Sequence, residues 1–171
     1  ELNFVAARCH AHLLRGELAP ARRAAERLLA VADAADQPML RINKLHVVIE
    51  LQLLTDDLDG ASVRLAEAQA HRDALQASGE GNACADQHQR LVAWLALLQG
   101  RASQALGQLP PESDLPTALR DRCEAAWIGC AAARALGDLD GARRRLCSVE
   151  LDDDVGGTLM VLWLIQRLGL A

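Results

Sequence analysis

Apolar residues recur every three or four positions along most of the chain, and short polar stretches interrupt them. This spacing places the apolar side chains on one face of an α-helix. The first two predicted helices cover about residues 2–14 and 19–34. The turn between them contains Gly16, which suits the end of a helix, and Pro20, which suits the first turn of the next. The sequence therefore predicts a helical hairpin at the start of the chain.

The alternation of apolar runs and polar breaks continues to the end of the chain, and it predicts four antiparallel helical hairpins followed by one terminal helix. The hairpins cover about residues 2–36, 39–78, 86–110 and 117–150. The individual helices cover about residues 2–14, 19–34, 40–54, 60–77, 86–98, 103–109, 117–136, 141–149 and 158–168. We therefore expect a single all-α, helical-repeat domain over residues 1–171.

One seven-residue pattern occurs at each of the four hairpin turns. Leu136–Ala142 reads LGDLDGA, and the other copies are Arg15–Ala21 (RGELAPA), Thr55–Ala61 (TDDLDGA) and Gln99–Ala105 (QGRASQA). Their closing alanines follow one another at spacings of 40, 44 and 37 residues. Units of this length with two helices each are typical of α-solenoids.

Glycine, aspartate and alanine have separate predicted roles within these turns. Gly137 is expected to end one helix in a left-handed conformation. Asp140 is expected to cap the helix that follows, as is Asp59 in the second turn. The closing alanine, such as Ala142, is small enough to let the two helices of a hairpin approach closely.

Composition narrows the class of protein. Half of the residues are hydrophobic, yet there are only three Trp, one Phe and no Tyr, which favours closely packed helices over a β-sandwich. The net charge of -5 argues against a basic face that contacts nucleic acid directly. No apolar run reaches the length of about 18 residues that a membrane span needs.

The cysteines and the start of the chain bear on its location. The cysteines are odd in number and form no CxxC pair, which favours small buried side chains in a reducing compartment, and so the cytoplasm. They are Cys9, Cys84, Cys123, Cys130 and Cys147. The chain begins at Glu1, without an initiator Met or a basic and apolar leader, so we expect it to be part of a longer protein.

Patterns that would carry catalysis, a cofactor or a metal are weak. Cys84 and His88 have the spacing of two ligands on one helix, but a structural zinc site uses four. Cys9 and His12 have the same shortcoming. Asp152–Asp154 are contiguous, whereas an EF-hand loop alternates its ligands. No nucleotide-binding or nucleophile motif occurs. We expect no enzyme, no cofactor and no metal, and a helical enzyme or metalloprotein is the less favoured alternative.

The turn Gly137–Ala142 resembles the G-D-x-x-x-A core of tetratricopeptide repeats. The longer, Ala- and Leu-rich units resemble the MalT-like region of large LuxR-family ATP-dependent transcription regulators, and also the bacterial transcriptional activator domain. This resemblance implies a right-handed α-solenoid that binds a ligand or protein and oligomerises, with a DNA-binding helix-turn-helix elsewhere in the parent protein. The alternative is a general interaction scaffold or chaperone-type repeat domain that is unrelated to transcription.

In tetratricopeptide superhelices the first helix of each hairpin lines a concave groove. Counting back from each turn in that register gives the candidate groove residues Asn3, His10, Asn43, His46, Glu50, Gln87, Arg90, Trp94, Glu124, Trp127 and Arg134. Tryptophan and arginine among polar groups suit a peptide, a protein or a small-molecule inducer as the partner. Trp94 and Trp127 could equally fill space between helices, and His10 and His46 could be structural, so these alternatives stay open.

The predicted terminal helix, residues 158–168, is apolar nearly all round. The last helix of a free-standing array needs a polar outer face. We therefore expect this helix to form a homodimer or to contact further protein, and the candidate contact residues are Leu159, Leu162, Trp163 and Ile165.

Overall fold

The computed structural model describes residues 5, 7–9, 11–12, 15–34, 37–79, 84–111 and 119–149. The regular secondary structure in these ranges is entirely α-helical, which confirms the predicted all-α class. Seven helices have defined bounds: α1 (Leu18–Ala34), α2 (Pro38–Leu54), α3 (Leu58–Ala77), α4 (Ala85–Leu98), α5 (Ala102–Gln108), α6 (Leu119–Ala135) and α7 (Leu139–Cys147). These bounds differ from the predicted ones by at most two residues. The predicted terminal helix, residues 158–168, lies outside the described ranges.

The chain separates into two compact units, residues 1–91 and residues 92–171, and the boundary falls within α4. In the first unit, α2 packs against both α1 and α3. In the second, α6 packs against both α5 and α7. In each unit, one helix thus packs against both the helix before it and the helix after it. The single repeat domain expected from the sequence stays a prediction.

The four hairpin turns have one backbone geometry. A residue with positive φ follows the first helix of each hairpin, namely Gly16, Asp56, Gly100 and Gly137, with φ between 58° and 80°. The next backbone N–H donates to the carbonyl oxygen five residues earlier, at 2.8–2.9 Å, in the pairs Glu17–His12, Asp57–Gln52, Arg101–Ala96 and Asp138–Ala133. This bond closes the end of a helix in the Schellman motif. The repeated heptapeptide is thus also a repeated structure.

The helix caps correct one detail of the sequence prediction. Asp57 and Asp138, not Asp59 and Asp140, are the N-cap residues. The Oδ1 atom of Asp57 accepts a hydrogen bond from the backbone N–H of Gly60 at 3.0 Å. The residue that closes the Schellman motif is also the N-cap of the next helix, so that helix begins two residues earlier than the apolar pattern predicts. Asp59 and Asp140 instead lie in the first turn of the helix, where a carboxylate interacts favourably with the positive end of the helix dipole.

The cap geometry gives a direct test. Replacing Asp57 by alanine leaves the N–H of Gly60 without its acceptor and should lower the free energy of unfolding by about 1 kcal/mol. The matched control is Asp59→Ala, which removes only a dipole interaction and should cost a few tenths of a kcal/mol. Urea titration followed by circular dichroism measures both. A loss at Asp59 as large as that at Asp57 would contradict this cap assignment.

Small residues set the spacing of the paired helices. The closing alanines of the four turns, Ala21, Ala61, Ala105 and Ala142, are all buried, as predicted. A cluster in the second unit consists of Ala96, Ala102, Ala105 and Ala132. Gly129 of α6 lies beneath the aliphatic part of Arg145, where an added Cβ would overlap the Arg145 side chain. The helices of the second unit therefore pack with little room for larger side chains.

Helix α2 is the most enclosed of the described helices in the first unit. All eight side chains from Lys44 to Leu51 are buried, so neighbours cover the helix around its whole circumference for two turns. Its apolar residues join a core cluster of Cys9, Ala21, Ala25, Leu28, Val47, Val48 and Leu51. Among the described helices, none has the length and apolar character needed to cross a bilayer.

Candidate functional site

Among the described residues of the first unit, five polar or charged side chains are buried. They are Lys44, His46 and Glu50 on α2 and His88 and Arg90 on α4, each at most 5% exposed. Burying charged and polar groups costs free energy unless hydrogen bonds and opposite charges compensate. We call this set the buried polar cluster, and its concentration on two helices makes it the candidate functional site of the described residues.

The centre of the cluster is a pair of histidines. The Nε2 atom of His46 lies 3.2 Å from the Nδ1 atom of His88, and the ring centroids are 5.4 Å apart at an interplanar angle of 42°. At this distance one nitrogen donates its hydrogen and the other accepts it. The Nδ1 atom of His46 is also buried and has no hydrogen-bond partner among the described residues.

Burial keeps both imidazoles neutral at physiological pH. Desolvation lowers the pKa of His46 to about 4, with the positive charges of Arg72 and Arg90 acting in the same direction and the Gln87 side chain opposing them. Desolvation also lowers the pKa of His88 to about 4, followed by the effects of His46 and Arg72. Asp73 opposes this second shift. The pair is thus surrounded mainly by positive charge.

Cys84 adjoins the cluster at the start of α4. It has a φ of 64°, which is unusual for a residue other than glycine, and its carbonyl oxygen accepts the backbone N–H of His88 at 3.0 Å. Its Sγ atom donates to Oδ1 of Asn43 at 2.8 Å. Burial raises the pKa of the Cys84 thiol, which keeps it protonated and weakly nucleophilic. Asn43, a candidate groove residue, is thereby fixed by a contact within the protein.

Glu50, a member of the buried polar cluster, lies close enough to Cys9 for its negative charge to act on that thiol. Burial raises the pKa of Cys9 to about 11, and the negative charge of Glu50 adds to this shift. The Sγ atom of Cys9 donates to the carbonyl oxygen of Ala21 at 3.5 Å.

Across the described ranges, no three His, Cys, Asp or Glu side chains are placed to hold a metal ion together. The arrangement offers hydrogen bonds and charge, not an activated nucleophile.

Trp94 and Trp127, the two tryptophans among the groove candidates, contact each other in the second unit. The rings of Trp94 and Trp127 are 5.2 Å apart at an interplanar angle of 87°, an edge-to-face contact, and each residue is 7% exposed. Of the two alternatives left open by the sequence, this geometry favours the one in which the indoles fill space between helices.

The remaining predicted site residues have varied environments. Asn43, Gln87 and Glu124 are partly buried, and Arg134 is exposed. Asn3, His10, Leu159, Leu162, Trp163 and Ile165 lie outside the described residues. The structure brings His46 and Gln87 together within the first unit. Five of the described groove candidates, His46, Glu50, Arg90, Trp94 and Trp127, are buried in the helical packing, so a partner would reach them only if that packing opened.

Sequence reasoning did not select Lys44, Arg72 or His88 for this site. The one available signal was that the two histidines occur on the first helices of successive hairpins, although their spacing of 42 residues is two short of the 44 residues between the second and third turns. Lys44 and Arg72 carry no such signal, because a charged residue on a helix is ordinarily solvated.

No protein-family model matches the chain, and neither a curated protein nor a solved structure shows significant similarity to it.

Proposed function

We propose that the chain is a non-catalytic helical-repeat region that binds a protein, peptide or small-molecule partner and mediates oligomerisation in a bacterial transcription regulator of the MalT-like type. The observation that carries this proposal is the recurrence of one turn, with the same hydrogen bond and the same buried alanine, at four places in the chain. Repeated hairpins of this kind stack into right-handed solenoids whose surfaces bind other molecules.

A hydrophobic surface at the last hairpin supports the oligomerisation part of the proposal. Leu139 is 71% exposed and Leu146 is exposed as well, and the two lie seven residues apart on α7, hence on one side of that helix. Leu136, at the end of α6, is also exposed. Large exposed apolar side chains that are grouped together are typical of protein–protein contacts.

Self-association can be tested on these leucines. The unaltered chain should sediment as an oligomer at micromolar concentration, and Leu139→Gln/Leu146→Gln should shift it towards monomer while its circular dichroism is unchanged. The matched control is Val63→Gln, which alters an equally exposed apolar residue on α3 and should leave the oligomer intact. A second arm, Leu162→Gln/Trp163→Gln, tests the predicted terminal helix. A monomeric unaltered chain would contradict the oligomerisation proposal, and unfolding of the second variant would assign those two residues to the core.

In this proposal a bound partner favours one packing state of the array over another, which is a population shift. The role in transcription has its own test in the sequence of the parent protein. A P-loop ATPase domain before Glu1, or a LuxR-type helix-turn-helix after Ala171, would support the regulator. Flanking regions of another class would favour a general scaffold instead.

A further inference from the structure

The His46–His88 pair joins two helices that are not consecutive in the chain. His46 belongs to α2, His88 to α4, and α3 lies between them in sequence. Both residues are buried, and their nitrogens are 3.2 Å apart. The contact is therefore a tertiary link of the first unit, and its state affects how α2 and the first half of α4 are held together.

Charged groups around the pair disfavour a proton on either ring. On α3, Arg72 acts on both imidazoles, and Asp73 opposes it at His88 alone. On α4, Arg90 adds a positive charge near His46.

Helix α2 itself contributes groups of both signs. Lys44 and Glu50 are buried on it together with His46. Burial lowers the pKa of Lys44, and Glu50 is close enough to Cys9 to raise the pKa of that thiol. Taking α2, α3 and α4 together, the groups that act on His46 electrostatically are cations, so an imidazolium there gains little compensation.

The hydrogen-bond geometry adds a second cost. A neutral pair needs one hydrogen between Nε2 of His46 and Nδ1 of His88. A protonated His46 carries a hydrogen on Nδ1 as well. That buried atom makes no hydrogen bond in the folded chain, and the neutral Gln87 side chain, which favours the charged ring, does not offset its desolvation. A buried charged ring that is only partly compensated is unfavourable, and opening the packing to water relieves this cost.

Histidines occur in only one part of the chain. All five histidines, His10, His12, His46, His71 and His88, lie within residues 1–91, and residues 92–171 contain none. Histidine is the side chain whose charge ordinarily changes between pH 5 and 8. The His46–His88 pair therefore has no histidine counterpart in residues 92–171.

We propose that the His46–His88 pair is a proton-sensitive lock of residues 1–91, which holds α2 and the first half of α4 together when neutral and releases them when protonated. Release exposes the buried polar cluster to solvent. The lock is a local opening of one unit and does not depend on the identity of a partner.

Hydrogen–deuterium exchange of the whole chain, corrected for intrinsic exchange rates, tests the proposal. Between about pH 7.5 and pH 5, peptides from residues 38–54 and 85–91 should lose protection by about tenfold or more, while peptides from residues 119–135 keep theirs. With Trp163 replaced by phenylalanine, the emission of Trp94 and Trp127, both in the second unit, should not shift. Equal loss of protection in both units would overturn the proposal.

Variants separate the pair from general acid sensitivity. His46→Gln/His88→Gln, which cannot titrate in this range, should keep its protection at pH 5, and His46→Leu/His88→Leu serves the same purpose should the first variant fold poorly. The matched control, His71→Gln, alters a partly exposed histidine of the same unit and should open like the unaltered chain. Opening of the glutamine or leucine variant at the same pH would overturn the proposal. So would histidine NMR resonances of the folded pair that titrate near pH 6.5.

Discussion

Lowering the pH from 7 to 5 should reduce the free energy of unfolding of residues 1–91 by about 2 kcal/mol for each of His46 and His88. The pKa of each imidazole falls from its ordinary 6.5 to about 4 in the folded chain. Below pH 6.5 the unfolded chain therefore binds protons that the native pair does not. Stability is complete above pH 6.5, is lost as the pH falls, and loses nothing further from this source below about pH 4.

Urea titrations at a series of pH values measure this loss. The slope of unfolding free energy against pH should flatten in His46→Gln/His88→Gln, because neither glutamine titrates. A single substitution is a poorer test, since it leaves the other buried ring without its hydrogen-bond partner. A slope of the same size in the double variant would assign the acid sensitivity to other groups. That result would also remove the thermodynamic basis of the proposed lock.

Replacing Trp127 with alanine should destabilise the second unit by about 3–5 kcal/mol, with a similar loss for Trp94→Ala. Each substitution removes a large buried ring and leaves its edge-to-face partner beside a cavity. The unfolding free energy is measured by urea titration. The matched control is Leu98→Ala, on the same helix as Trp94 but 41% exposed, which should cost less than about 1 kcal/mol.

Fluorescence quenching gives an independent readout of the tryptophan pair. With Trp163 replaced by phenylalanine, emission comes from Trp94 and Trp127 alone, and acrylamide should quench it poorly. Free quenching, together with a loss of stability below about 1 kcal/mol on alanine substitution, would place the indoles on an accessible surface. The groove alternative would then be favoured over the core.

The helices and their turns could be predicted because they depend on neighbours in sequence. Gly137 ends α6 and Ala142 packs where the heptapeptide pattern places it, since a left-handed residue and a small residue are required locally. The cap was misplaced from Asp57 to Asp59 because both carboxylates precede the same apolar run. The hydrogen bond from the backbone N–H of Gly60 to Oδ1 of Asp57 identifies Asp57 as the N-cap.

The environment of the candidate site could not be predicted in the same way. Helical period identifies which residues share a face, but not how deeply neighbouring helices cover that face. For this reason the sequence predicts Glu50 and Arg90 in a groove, whereas the structure buries them. The pairing of His46 with His88 depends on how α2 and α4 meet across 42 residues of chain, and no local pattern encodes that distance.

The conserved geometry of the turns contrasts with the unequal spacing between them. The closing alanines are separated by 40, 44 and 37 residues, yet each turn keeps its positive φ and its five-residue hydrogen bond. An added Cβ at Gly16, Gly100 or Gly137 would touch nothing within 4 Å, so no neighbouring side chain constrains these joints. The turn geometry is therefore the same although the number of residues between successive turns differs. The repeats of this chain are thus defined by the geometry of their turns and not by a fixed repeat length.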